Sequence, residues 1–144
     1  MAALSDFAEN KVVDALFRAQ AIGTPVTWYI ALYTLAPTDS TAGTEVTGGA
    51  YARVAVTAGL AAFAGTQGAG TTVASTGAGG VTSNNAVVTF PTPTLGWGNV
   101  THWAIVDALT AGNIWVHSIL TVAKTINTGD AVSFAAGALT VTLA

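Results

Sequence analysis

At 144 residues the chain fits one domain, and a domain of this size removes roughly 68–70% of its unfolded surface from water, so a core can form without covalent staples. Cysteine is absent, which excludes disulfides, thiolate metal sites and thiol nucleophiles. Only 8% of the residues are charged while 51% are apolar, against about 25% charge in an ordinary chain.

A monomer of 14.3 kDa has roughly 6,800 Å² of accessible surface by size scaling, so formal charges are sparse on it. With a mean hydropathy of +0.58, such an exterior points to coverage by partner molecules. Thr, Ser, Asn and Gly offer another source of polarity, as in many extracellular β proteins. A net charge of −3 with four dispersed basic residues gives no footprint for a phosphate backbone, so nucleic acid is not an expected partner. No basic segment precedes an apolar run near the N-terminus, so no signal peptide is expected. The most apolar run, residues 28–36, is far shorter than the about 20 residues of a spanning helix, so no membrane partner is expected either.

The chain reads as a single domain over 1–144. Residues 4–22 have helical spacing, with Leu4, Phe7, Ala8, Val12, Ala15, Leu16, Ala19 and Ile22 on one face. Ser5 or Asp6 can cap the start, Asp6 and Glu9 suit the positive end of the helix dipole, and Gly23 followed by Pro25 closes the far end. From Val26 the period becomes two, with large side chains on both faces, which predicts a strand central in its sheet. Pro37 to Gly43 form a connection, Gly48 and Gly49 a turn, and Tyr51 to Thr57 a second strand, so that 26–64 holds the first strands. Residues 65–85 are rich in Gly, Thr and Ser without apolar periodicity, which predicts a long loop, mobile or ordered by a neighbouring chain. The remaining strands occupy 86–143: Ala86–Phe90, Gly98–Asp107, Asn113–Thr121, Ala131–Ala135 and Leu139–Leu143, with reversals at Ala111–Asn113 and Asn127–Asp130. The sum is an all-β domain of about 7–8 strands, a two-sheet sandwich or jelly-roll-like fold with one N-terminal helix.

Catalytic and metal-binding constellations are not visible. His102 and His117 lie in strand patterns on either side of the Ala111–Asn113 turn. The nearest acid, Asp107, has an odd offset from His102 and faces the other side of the sheet. Ser118 and His117 are adjacent on one strand and point apart, and no nucleophile-elbow motif is present. The glycines between 65 and 80 lack the strand and helix flanks of a phosphate cradle. No cofactor, metal or enzymatic activity is therefore expected. Trp97, bracketed by Gly96 and Gly98, is the best candidate for an exposed sugar-stacking residue, whereas Trp28, Trp103 and Trp115 read as core or interface aromatics.

Three segments resemble one family. IALYTLAPTDSTAGTEVTGGAYARVAVT, GNVTHWAIVDALTAGNIWVHSILT and KTINTGDAVSFAAGALTVTL look like small tailed-bacteriophage structural proteins of the tail-fibre-like or capsid decoration (cement) type. The likeness spans 26–57 and 86–143. It is carried by an LYT-x-x-P strand exit, an acid ahead of Gly48-Gly49-x-Tyr51-Ala52-Arg53, a Val100-Thr101-His102 hairpin strand, and a closing KT-x-N-x-GD pair. The resemblance implies a virion component without cofactor or catalysis, made in the host cytoplasm. Its first reading is a decoration protein on the capsid exterior, with the major capsid protein and further copies of itself, as a dimer or trimer, for partners. Its alternative is a tail-fibre or baseplate component touching host glycans. Phe7, Phe17, Arg18, Tyr51, Arg53 and Trp97 are the expected interface residues, with the helix face and the 65–85 loop at contacts.

Overall fold

The computed structural model describes residues 2–143. In chain order its elements are β1 (Ala3–Leu4), α1 (Asp6–Phe17), β2 (Thr27–Leu35), β3 (Thr44–Glu45), β4 (Val54–Thr57), β5 (Val81–Ser83), β6 (Val88–Thr89), β7 (Gly98–Val106), β8 (Ile114–Ile126), β9 (Ser133–Phe134) and β10 (Thr140–Thr142). Six strands make one antiparallel sheet in the order β1-β8-β7-β2-β3, with β4 also on β2; β5 pairs with β10 and β6 with β9 as separate ladders. The all-β, sandwich-like expectation holds, with ten strands among the described residues in place of 7–8.

β2 organises the main sheet. Its β-branched and aromatic residues suit a pleated surface, and their alternation puts Trp28, Ile30 and Leu32 against one core and Tyr29, Ala31 and Tyr33 against another. β7 lies along it with Tyr29 opposite Val106 and Tyr33 opposite His102, while β3 and β4 pair with it in turn. The larger core joins Ile30, Leu32, Trp103, Ile105 and Val116 of the sheet to Val88, Phe134 and Val141 of the two ladders. On the opposite face, the segment between Leu35 and Thr44 leaves β2 and reaches Asp39 across to His117 on β8, 3.2 Å away.

The helix is shorter than its sequence pattern. Leu4 belongs to β1, opposite Val116, and the helix ends at Phe17 instead of residue 22. Ser5 caps the start by accepting from the Ala8 N–H and anchors it by donating to the Ile114 carbonyl. At the other end the N–H groups of Arg18 and Gln20 both converge on the Asp14 carbonyl at 3.1 Å, and Ala19 turns left-handed at φ 54°. That closure ends the helix on the Asp14 carbonyl before Gly23 is reached. Phe7 and Ala8 face the core, but Leu16 is 71% exposed, contrary to its expected inward position. The hydrophobic spacing was continuous to residue 22; the left-handed residue that interrupts it is an alanine, which carries no turn signal.

The 65–85 segment is not a structureless loop. β5 occupies its end, and polar side chains hold the rest: Thr66 Oγ1 donates to the Thr76 carbonyl at 2.9 Å, Gln67 Nε2 to the Ala74 carbonyl at 2.7 Å, and Asn85 Nδ2 to the Thr71 carbonyl at 2.9 Å. Thr and Asn here replace a backbone ladder with side-chain bonds.

Asn84 ties the two ladders together. It is 1% exposed; its Nδ2 donates to the carbonyls of Ala86 and Ala135, both at 2.8 Å, and its Oδ1 accepts from the Leu139 N–H at 2.8 Å. Removing this amide strands buried backbone groups, so Asn84→Ala is expected to cost about 2–4 kcal/mol, seen as a lower urea midpoint at unchanged slope. A shift below about 0.5 kcal/mol would contradict the bridging role.

Candidate functional site

Two regions concentrate the expected interface residues. The first grows from the turn after β3, where Gly48, Gly49 and Ala50 take φ of 73°, 54° and 62°. Three consecutive left-handed residues, two of them glycine, reverse the chain within a few ångströms and bring Tyr51 and Arg53 back over Glu45. Arg53 Nε and Nη2 donate to the two Glu45 oxygens at 2.8 and 2.6 Å. Nη1 donates to the carbonyls of Ala108 and Ala111 at 2.6 and 2.7 Å, in the turn between β7 and β8. The Tyr51 hydroxyl donates to Glu45 at 3.0 Å and accepts from the Leu32 N–H at 2.9 Å.

With four of its five donors engaged inside the molecule and its side chain 9% exposed, Arg53 is a clamp between elements and not a receptor for an external anion. Burial, reinforced by Glu45, drives the Tyr51 phenol well above the ordinary range. Burial, again with Glu45, pushes the Tyr33 phenol from 10.0 to about 12.

Trp97 joins this region from beneath and is not the exposed platform its flanking glycines suggested. It is 4% exposed, its Nε1 donates to the Gly49 carbonyl at 2.9 Å, and Tyr51 and Phe90 pack edge-on against it at 5.3 and 6.4 Å. A sugar ring has no access to its face. Of the flanking glycines, Gly96 serves close approach, since a Cβ there would lie 3.2 Å from the Ile126 carbonyl, and Gly98 takes φ 80°; on the other side of the indole a Cβ on Gly49 would collide with the Leu95 carbonyl and the Trp97 ring.

The second region is the helix. Phe7 is half-buried, edge-on to Trp115 at 5.4 Å, with the Lys11 ammonium 5.7 Å from its ring centre. Phe17 stands 80% exposed, and Arg18 is paired with Asp14 at 2.7 Å. Thus Tyr51, Arg53 and Trp97 come together, and Phe7, Phe17 and Arg18 lie apart from them on the helix and its end.

The histidines meet different partners from those the spacing suggested. His117 contacts Asp39 from the long connection. Burial, with His117 nearby, lowers the basicity of His102, whose Nδ1 lies 2.8 Å from the Thr101 hydroxyl. Asp107 instead closes the β7–β8 turn. Burial pushes its carboxyl up, but hydrogen bonds from the Asn113 side chain and N–H and from Trp115 outweigh that and hold it below the usual range. Among the described residues no three His, Cys, Asp or Glu cluster closely enough to hold a metal ion, and no helix is long and apolar enough to cross a membrane.

Sequence reasoning missed the exposed half of the apolar inventory. Val13, Leu16 and Phe17 project from α1, and Ile119 and Val122 from β8. Between Ile119 and Lys124, β7 advances only from His102 to Val100, so β8 bulges over Leu120 to Ala123; Leu120 packs against the core while Val122 stands out. No turn residue marks this bulge.

The comparison with protein families supplies the class of protein. The model of a tailed-phage virion structural family, described as podophage GP4 fiber I protein gp80, matches residues 3–142. The chain belongs to that family, which is a structural fibre family not known as an enzyme. It is a bacteriophage virion protein. No curated protein matches the chain.

Two predictions test the clamp. Arg53→Met leaves the Glu45 carboxylate, itself partly solvated, without its partner; the expected loss is about 2–3 kcal/mol, below the range for a wholly buried pair, read by urea unfolding. The raised tyrosines set the alkaline limit. Their folded values exceed the unfolded one, so the stability they confer is complete below pH about 10 and is lost as pH rises through the folded values. Tyr33→Phe is expected to soften the fall in Tm above that pH; an unchanged alkaline profile would show that Tyr33 ionisation does not drive it.

Proposed function

We propose that this chain is a subunit of the tail fibre of a bacteriophage and not a decoration protein of the head shell. The observation that carries the reading is the family match across nearly the whole chain, whose description names a fibre protein. The surface supports an assembled setting: among the described residues thirteen large apolar side chains are about half exposed or more. The accessible surface is 7679 Å², against roughly 6,800 Å² for a compact monomer of this mass. Such a surface gains free energy when it is covered, at roughly 25 cal/mol per Å² before the cost of association.

The subunit acts by packing, with no catalytic step, cofactor or metal. Copies of itself and neighbouring tail proteins are its partners; the major capsid protein is not. Contact with a host glycan, if the fibre makes one, does not run through Trp97, which is covered.

Copy number in intact virions separates the two settings. Quantitative mass spectrometry against the major shell protein is expected to give a ratio of a few per cent, on the order of the copy number of a tail component. A ratio of the same order as the shell protein would return the chain to the capsid.

A further inference from the structure

We propose that copies of this chain bind head to tail, the outward face of α1 on one copy seating on the β8 bulge of the next; this rests on the fibre reading and deepens it. On a helix, residues three and four apart share a face. Glu9, Val13 and Phe17, flanked by Leu16, form such a stripe away from the buried Ala8, and the two large residues at its end are strongly exposed. Both bases of this region lie off the stripe, Lys11 over the Phe7 ring and Arg18 on Asp14. The stripe is thus acidic at its start and apolar at its end.

The β8 bulge is its complement. Leu120, Val122 and Lys124 alternate onto one side and, with Val132 and Phe134, line a trough of about 160 Å³. Lys124 is exposed and is in no ion pair among the described residues. Glu9 on Lys124 therefore sets the apolar end of the stripe over Val122 and the trough beside it.

Within one molecule no residue of α1 lines this trough; Ser5 holds the start of the helix at Ile114 and Trp115, the opposite end of β8. A contact between two unlike surfaces repeats from copy to copy, which suits a fibre.

The chain has no cysteine, so thiol cross-linking has no background. Purified Val13→Cys and Val122→Cys variants, mixed and treated with a short bis-maleimide, are expected to give mainly the mixed 13–122 link, identified by peptide mass, and little when treated singly. Lys124→Glu in the Val122→Cys chain is expected to lower the yield about two- to fivefold, and Glu9→Lys in the Val13→Cys chain to restore it. Predominant 122–122 links would indicate a twofold contact between bulges and overturn the proposal. Absence of the mixed link, or indifference to the charge exchange, would also overturn it. If the link forms while virion copy number matches the shell protein, the fibre reading falls and the contact stands; a tail-like copy number without the link reverses that outcome.

Discussion

The bidentate pair between Arg53 and Glu45 is the constraint on which the main sheet depends. Glu45 is paired with β2 through Tyr33, Arg53 leads directly into β4, and the same guanidinium holds two carbonyls of the β7–β8 turn. One side chain thereby fixes the strands on one side of β2 to the hairpin on the other. A Lys could supply the charge but not the planar fork that reaches four acceptors at once. The Tyr51 hydroxyl completes the arrangement by bonding both Glu45 and the backbone of β2, so the motif GGAYAR acts as a structural device within the subunit.

With the sheet fixed in this way, the chain has little polar surface left to specialise. Most of its few charges are spent on internal tasks: Arg53 on Glu45, Arg18 on Asp14, Asp39 on His117, and Asp107 on a turn; Glu9 and Lys124 are in no ion pair among the described residues. What remains outside is largely apolar or hydroxylated, and the apolar part is spread over the outer helix face, the β8 bulge and the connections between strands. Membership of a phage fibre family and a charge-poor exterior are two views of one requirement.

Much of the fold was legible from period alone. β2 declared itself because large residues alternate on both faces, and only a strand sandwiched between layers can bury both. The β7–β8 hairpin followed from Ala111, Gly112 and Asn113, of which the first two do take left-handed φ. Other features depended on tertiary bonds that leave no local mark. The helix stopped early because Asp14 collected two closing N–H groups. The Gly- and Thr-rich segment became ordered because Thr66, Gln67 and Asn85 found carbonyls 7 to 14 residues away, through side-chain bonds that follow no apolar period. Trp97 looked exposed between two glycines, yet those glycines flank a packed indole.

The exposed apolar surface was the least legible part. Tyr51 and Arg53 are distinctive in sequence and turn inward, while Val13, Leu16 and Val122 are ordinary in sequence and turn outward. A helix with apolar residues on more than one face does not say which face meets the core; the anchoring of Ser5 on β8 decides it. Gold-labelled antibody against this protein, imaged on intact virions by electron microscopy, tests the central claim most directly. The account predicts gold along the tail fibres with heads unlabelled. Gold distributed over the head shell would contradict it.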